Sequence, residues 1–186
     1  DQVISCYNAI NRGGRIKNVY NVILGGLLDY KNKIMSCDNL LLFGCGTSYH
    51  SGLLAVKVYK ELCNFRTLQL FDGAEFILND IPKIGNTCAI FISQSGETKD
   101  LHRCLEICNN NNIFTIGVIN VVDSLIAREV KCGIYLNCGR EFAVASTKAF
   151  SSQVIVLTLI GIWLCQNINK NEYEQKQKQY ISKIIK

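Results

Sequence analysis

Proline and metal-ligand patterns are nearly absent from this chain of 186 residues. Proline occurs once, at Pro82, and no internal repeat or clear linker interrupts the sequence, so one domain of ordinary size is expected. The two histidines, His50 and His102, are far from any pair of cysteines at zinc-ligand spacing, and there is no CxxC motif. We therefore predict neither a metal site nor a cofactor.

Long apolar runs and clustered basic residues are also missing. The longest apolar run spans 154–165, which is too short to cross a bilayer and predicts a core helix that is covered on most sides. The net charge is +5, and no basic run is interleaved with aromatic residues, so neither nucleic acid nor a membrane is an expected partner. No signal peptide is recognisable, and we expect a cytoplasmic location.

Cysteine, by contrast, is abundant. Ten cysteines are scattered along the chain, several of them inside apolar runs. In a reducing compartment such residues are expected to be buried free thiols and not disulfides.

The remaining composition is typical of a globular α/β protein. Apolar residues make up 48% of the chain and charged residues 19%. Short apolar strands alternate with helices, which indicates βαβ units. We predict strands at 40–43, 65–71, 87–92, 113–119 and 133–136, and helices at 19–35, 48–63, 98–109, 124–129, 146–166 and 172–185. The fold class is therefore α/β, a doubly wound, flavodoxin-like sheet of five parallel strands with helices on both faces.

In such a sheet, ligands bind beyond the carboxyl ends of the strands, and three loops there carry unusual residues. The first loop, 44–48, has two glycines for a tight turn, followed by the hydroxyls of Thr47 and Ser48 at a helix N-terminus. The loop is neither a Walker loop nor a complete GxGxxG motif. A turn that ends in an N-cap serine would explain the same residues, and both interpretations stay open.

The second loop, 93–98, follows the most apolar strand and opens the next helix. Ser93, Gln94, Ser95 and Thr98 place three hydroxyls and an amide within six residues. Capping the helix needs one hydroxyl, so this surplus favours an anion site for a phosphate group. The carboxylate of Glu97 would repel a phosphate, and we expect it to cap the helix or to bind a nearby cation.

The third loop, 144–148, follows the last strand and opens the long helix. Ser146 is a candidate N-cap, whereas Lys148 stands in the first turn, where the helix dipole disfavours a cation. Lys148 is expected to pair with Glu141, to face an anion or to be solvated. Neither His50 nor His102 lies beside a recognisable nucleophile, so each is expected to be structural.

The three loops carry the strings CGTSYH at 45–50, SQSGET at 93–98 and VASTKAF at 144–150. Together they resemble the signature segments of the SIS (sugar isomerase) domain family over most of the chain, from about residue 11 to about residue 165. The second string is typical of any SIS domain. The first and third are specific to a branch that makes glucosamine 6-phosphate from fructose 6-phosphate and glutamine.

The resemblance implies roles for particular positions. Residues matching the family's sugar-phosphate contacts are Thr47, Ser48, Ser93, Gln94, Ser95, Thr98, Val144 and Ser146. In this branch the proton-transfer groups belong to a second SIS domain, so this chain is expected to bind a sugar phosphate without catalysing the reaction. The expected ligands are fructose 6-phosphate, glucose 6-phosphate and glucosamine 6-phosphate.

The resemblance also implies an organisation and partners. We expect an N-terminal linker and helix over 1–36, a SIS domain over 37–168 and an amphipathic helix over 169–186 that leads towards a second SIS domain. A glutaminase domain and a second copy of the chain, in a homodimer, are the expected protein partners. The alternative is a non-enzymatic SIS module that senses sugar phosphates.

Overall fold

The computed structural model of the chain describes residues 2–12, 15–18, 21–141, 147–168 and 174–185. The elements follow one another as α1 (Gln2–Asn11), β1 (Ile16–Asn18), β2 (Asn21–Val22), α2 (Gly25–Leu28), α3 (Lys31–Met35), β3 (Asn39–Gly44), α4 (Thr47–Leu62), β4 (Thr67–Asp72), a 3₁₀ turn (Leu78–Asp80), β5 (Thr87–Ser93), α5 (Lys99–Asn110), β6 (Phe114–Ile119), α6 (Leu125–Glu129), β7 (Cys132–Tyr135), α7 (Lys148–Ile168) and α8 (Glu174–Ile185).

Strands β3 to β7 form one parallel sheet in the order β4-β3-β5-β6-β7. All five predicted strands are present, and the predicted flavodoxin-like fold is confirmed. The strand order reverses between β3 and β5, which pair in register with Phe43 opposite Phe91. Ligands of such sheets bind at this switch point, beyond the carboxyl ends of the two strands.

Helices cover both faces of the sheet, because alternate residues of each buried strand point to opposite sides. On one face, Leu40, Leu42 and Ile90 join the core formed with α4 and α7. On the other face, Phe43 and Phe91 join the core under α5 and α6. Their rings are stacked with centroids 4.8 Å apart, directly beneath the carboxyl edge of the sheet.

Helix α7 is the predicted core helix. It has 21 residues, and among the described helices it alone is long and apolar enough to cross a membrane by length and composition. However, 72% of its most apolar stretch is buried inside the structure, as in the core helix of a globular domain. It packs along α4, where the Tyr59 hydroxyl donates a hydrogen bond to the carbonyl oxygen of Leu157, at 2.9 Å.

The predicted helix over 19–35 is wrong. Within the described residues this region contains the short strand β2, which pairs with β1, and then the two short helices α2 and α3. The reason is tertiary: a Cβ atom on Gly26 would overlap the carbonyl oxygen of Gly133, so the chain here runs directly against strand β7. Glycine is also a poor residue for a helix interior.

The two terminal helices pack on the same side of the sheet. Helix α1, which the sequence did not reveal, contacts α7 and places Ser5 and Ala9 in the interface. Helix α8 begins at Glu174 within the predicted range, buries Ile181 completely and binds α4 through the Tyr180 hydroxyl, which donates to Glu61 Oε2 at 2.7 Å.

All ten cysteines are free thiols, and six of them are buried. Burial raises the pKa of the Cys63 and Cys108 thiols to about 12, so both are protonated at neutral pH. Among the described residues, no group of three or more His, Cys, Asp or Glu side chains is arranged to hold a metal ion.

Candidate functional site

The first loop joins β3 to α4 by a turn that brings the helix end onto the strand. A Cβ atom on Gly44 would lie 2.8 Å from the carbonyl carbon of Ser48 and from the Tyr49 nitrogen, so the first turn of α4 rests directly on this glycine. Gly46 is the N-cap residue, with a φ of 57°, and as a glycine it has no side chain that could cap the helix. The N-terminus of α4 therefore presents backbone N–H groups and a positive dipole end at the carboxyl edge.

Thr47 and Ser48, the first two residues of α4, have different surroundings. The Thr47 side chain is exposed at the edge. Ser48 is only 7% exposed, and its Oγ accepts a hydrogen bond from Nε2 of Gln153, at 2.9 Å. Gln153 belongs to α7, so this bond connects the first loop with the helix that follows the third loop.

The second loop is organised by its own serines. Ser93 Oγ accepts from the Gly96 N–H at 2.9 Å, and Ser95 Oγ accepts from the Glu97 N–H at 3.2 Å. Each hydroxyl that accepts in this way keeps its own hydrogen for donation. Ser93 is buried at 3% exposure, whereas Ser95 and Gln94 are half-buried and reachable from solvent.

Thr98 ends this loop as the N-cap residue of α5. Its extended backbone places it outside the helix, and its side chain makes no capping hydrogen bond, so the N-terminus of α5 is uncapped by Thr98. Because β3 and β5 are neighbouring parallel strands, the N-termini of α4 and α5, which follow them, lie at the same edge of the sheet. Two positive helix ends therefore flank the hydroxyls of both loops.

Among the described residues, Glu97 contacts the neighbouring helix α6 and does not cap its own helix. Its Oε1 accepts a hydrogen bond from the backbone N–H of Leu125, at 2.9 Å, which caps the start of α6. The carboxylate is therefore held by the neighbouring helix, and the expected conflict with an anion is reduced by this contact.

The third loop is described only at its two ends. Val144 and Ser146 lie outside the described residues, so their predicted roles stay predictions. On the near side, Glu141 Oε2 accepts from the Ala149 N–H at 3.1 Å, in the first turn of α7. Lys148 Nζ donates a hydrogen bond to the carbonyl oxygen of Arg140 at 2.8 Å. Arg140 is the residue before the predicted partner Glu141, and the acceptor of this bond is a backbone atom.

A cleft of about 440 Å³ opens beside Gln94 at the carboxyl ends of β5, β6 and β7. It does not enclose Ser95 or Thr98, but it brings positive charge to the neighbourhood of the second loop. The residues that line it are Arg12, Gln94, Asn120, Val121, Val122, Asn137, Gly139 and Arg140.

Cys45, at the centre of the first loop, is not prepared to act as a nucleophile. Burial raises the pKa of its thiol, and the nearby carboxylates of Asp72 and Asp100 act in the same direction. The thiolate is the reactive form of cysteine, so a raised pKa disfavours this chemistry at neutral pH. The two histidines are equally remote from such a role: His50 is exposed on α4, and His102 Nε2 lies 3.0 Å from Glu129 Oε2.

The structure therefore joins six of the eight predicted residues at one edge, in two adjacent loops. Local sequence did not identify Ser48 as the partner of Gln153 or α6 as the helix that Glu97 caps, since both contacts connect residues far apart in the chain. A polar amide at the start of an apolar helix was the available signal for Gln153.

The chain is similar in sequence to known proteins. The SIS domain model matches residues 33–162. The chain is 44% identical over 137 residues to the probable isomerizing glutamine–fructose-6-phosphate aminotransferase of Acanthamoeba polyphaga mimivirus, covering 74% of this chain and 23% of that protein. It is 38% identical over 168 residues to isomerizing glutamine–fructose-6-phosphate aminotransferase 2 of Homo sapiens, covering 90% of this chain and 24% of that protein.

Solved structures show the same fold. The C-terminal domain of glucosamine-fructose-6-phosphate aminotransferase from Francisella tularensis superposes with a TM-score of 0.78 at 22% identity, covering 99% of this chain and 53% of that chain. A putative phosphosugar isomerase from Clostridium difficile gives a TM-score of 0.78 at 18% identity, over 100% of this chain and 51% of that chain.

The chain belongs to the SIS domain family. Within that family it is homologous to a segment of the isomerizing glutamine–fructose-6-phosphate aminotransferases, and it spans about a quarter of the length of the curated relatives it matches. The predicted family is thereby confirmed.

Proposed function

We propose that this chain binds a sugar phosphate at the carboxyl edge between β3 and β5, with the phosphate held by the first and second loops. The observation that carries the proposal is the convergence of two helix N-termini, α4 and α5, which no side chain caps at their N-cap residues, on a group of hydroxyls. Backbone N–H groups, hydroxyl donors and helix dipoles are the features that stabilise a phosphate dianion.

The six predicted contacts that the structure describes divide into two groups by accessibility. Thr47, Gln94, Ser95 and Thr98 reach solvent and supply donors directly to the phosphate. Ser48 and Ser93 are buried, and they act at the base of the site. Val144 and Ser146 complete the site on the sugar side.

The proposed ligand is fructose 6-phosphate, in an enzyme that makes glucosamine 6-phosphate from it and from glutamine. The relatives' names supply this substrate, and the product belongs to hexosamine and UDP-N-acetylglucosamine synthesis. In this proposal the chain is the first SIS domain, preceded by an N-terminal segment over 1–36 and followed by a helix over 169–186. It orients the substrate, while groups outside the chain transfer the proton.

We further propose that the chain works in the cytoplasm, with a second SIS domain, with a glutaminase domain and as a homodimer. Support for association comes from large apolar side chains left exposed on α1, where Val3 and Tyr7 are 81% and 65% exposed. A concentration series in gel filtration tests this point, since a single monomer peak at all concentrations contradicts it.

The experiment that tests the binding proposal is calorimetric titration of the chain with fructose 6-phosphate. Ser95→Ala removes a solvent-reachable hydroxyl donor from the second loop and is expected to weaken binding about tenfold or more, since the lost hydrogen bond goes to a charged group. Ser36→Ala is the matched control, because Ser36 is exposed near the opposite edge of the sheet and its hydroxyl donates to the carbonyl oxygen of Lys33 within the same helical turn. Equal affinity for both variants and for the wild-type chain contradicts the proposed site.

A further inference from the structure

Gln153 is a buried amide side chain in α7, and hydrophobic packing does not explain why a polar residue stands there. Its side chain is 1% exposed, at the start of the helix face that continues through Leu157 and Gly161 along α4. Nε2 donates to Ser48 Oγ, but Oε1 has no hydrogen-bond partner among the described residues. A buried polar atom without a partner destabilises a fold, and an apolar side chain of similar size would avoid that penalty.

The bond fixes the direction in which the hydroxyl of Ser48 can act. An amide N–H can only donate, so Ser48 Oγ is the acceptor in this pair and its own hydrogen remains available. Within the described part of the chain no acceptor receives that hydrogen. Ser48 lies in the first turn of α4, whose N-terminus faces the carboxyl edge of the sheet.

We propose that Gln153 is a positioning residue, which holds the hydroxyl of Ser48 as a hydrogen-bond donor towards an anionic oxygen of the bound sugar phosphate. This inference rests on the proposed function. The chain of bonds runs from the amide N–H through the Ser48 hydroxyl to the phosphate, and each bond polarises the next one. Gln153 thereby connects α7 to the phosphate-binding hydroxyl of the first loop without contacting the ligand itself.

The test is a double-mutant cycle on the chain as it stands. Fructose 6-phosphate and inorganic phosphate are titrated into the wild type, Gln153→Met, Ser48→Ala and the double variant, and each protein is also melted thermally. Gln153→Met is expected to lower the affinity for both ligands about three- to tenfold. In the Ser48→Ala background the same change is expected to have no further effect, because the hydroxyl that it positions is already gone.

Gln166→Met is the matched control on the same helix. Gln166 bonds the backbone of Val22 through both of its amide atoms, at 2.6 Å and 3.1 Å, on the far side from the carboxyl edge. Its replacement is expected to lower the melting temperature and to leave both affinities unchanged. Gln153→Met is expected to show the opposite pattern, with the melting temperature within about 2 °C of the wild type.

Three outcomes overturn the inference. One is unchanged affinity in Gln153→Met. Another is a loss that adds fully to that of Ser48→Ala, which means that the two side chains act separately. The third is a lowered melting temperature together with reduced affinity, which is the signature of a purely structural role. Absence of ligand binding by the wild-type chain overturns the proposed function itself, and it is distinguished from these by the first titration.

Discussion

Replacing Gly96 by alanine tests the geometry of the second loop at its most constrained point. Gly96 has a φ of 70°, and a Cβ atom there would overlap Ser124 Oγ and lie 2.6 Å from Ser124 Cβ. Two separate penalties follow. Left-handed backbone in a non-glycine residue costs about 1–2 kcal/mol. Forcing a methyl group against the start of α6 costs about 1–3 kcal/mol more.

Gly139→Ala separates the two penalties. Gly139 has nearly the same φ, 72°, but no atom of the described residues lies within 4 Å of the position that its Cβ would take. The free energy of unfolding of this variant is therefore expected to fall only by the backbone penalty, about 1–2 kcal/mol. Gly96→Ala is expected to lose about 2–5 kcal/mol in all, which corresponds to about 4–20 °C in melting temperature for a domain of this size.

The assay is equilibrium unfolding in urea, followed by the fluorescence of Trp163, the one tryptophan of the chain, which is 1% exposed in α7. Ser124→Gly removes the colliding side chain, so the double variant with Gly96→Ala is expected to recover most of the overlap penalty. Equal losses in Gly96→Ala and Gly139→Ala refute the close approach of the loop to Ser124. No loss in either variant refutes the left-handed backbone.

Two further predictions concern the thiols. Cys37 is expected to be alkylated by iodoacetamide before the other nine cysteines near pH 8, because a hydrogen bond with Cys88 lowers the pKa of its thiol and Lys33 adds to this effect; persistence of the fast phase in Cys37→Ser contradicts the assignment. The free energy of unfolding is expected to stay level up to about pH 8 and to fall from about pH 9 towards pH 12, because the folded-state pKa of Cys63 and Cys108 is raised from 9.0 to about 12 and the unfolded chain loses these protons first. Urea titrations across this range measure the decline, and stability that rises with pH contradicts the burial of these groups.

The central strands could be predicted from the sequence because burial on both faces leaves a continuous apolar run. All six residues of β3 are buried, and so are six of the seven residues of β5. The loops that follow these strands could then be assigned to one edge, since all carboxyl ends of a parallel sheet lie together. The position of the candidate site in the fold could therefore be predicted without knowledge of any side-chain contact.

Helix α1 could not be predicted, because its large apolar side chains are on the exposed face and not on the buried one. Its large side chains Val3, Ile4 and Tyr7 are exposed, whereas the small residues Ser5 and Ala9 are buried. Small side chains allow a close approach of the helix to its neighbours, but they carry little hydrophobic signal in a sequence. The predicted helix over 19–35 was wrong for a related reason, since the close contact of Gly26 with Gly133 is tertiary and leaves no local pattern in the sequence.

The hydrogen-bond partners of the site's side chains could not be predicted either, because they too are distant in the sequence. Glu97 and Leu125 are 28 positions apart, and Ser48 and Gln153 are 105 positions apart. Local sequence offered capping by Glu97 as one alternative, but it could not indicate that the capped helix is α6. The Ser48–Gln153 contact follows from the packing of α7 against α4, and the Glu97–Leu125 contact from the packing of α6 beside α5.

The most direct test of sugar-phosphate binding is to locate it, by recording the backbone amide NMR spectrum of the chain during titration with fructose 6-phosphate. The largest shifts are expected at residues 45–49 and 94–99, at the N-termini of α4 and α5, and none at 36–38 and 64–66 at the opposite edge. Shifts confined to the opposite edge, or no shifts at saturating ligand, would contradict the claim that this edge of the sheet holds the phosphate.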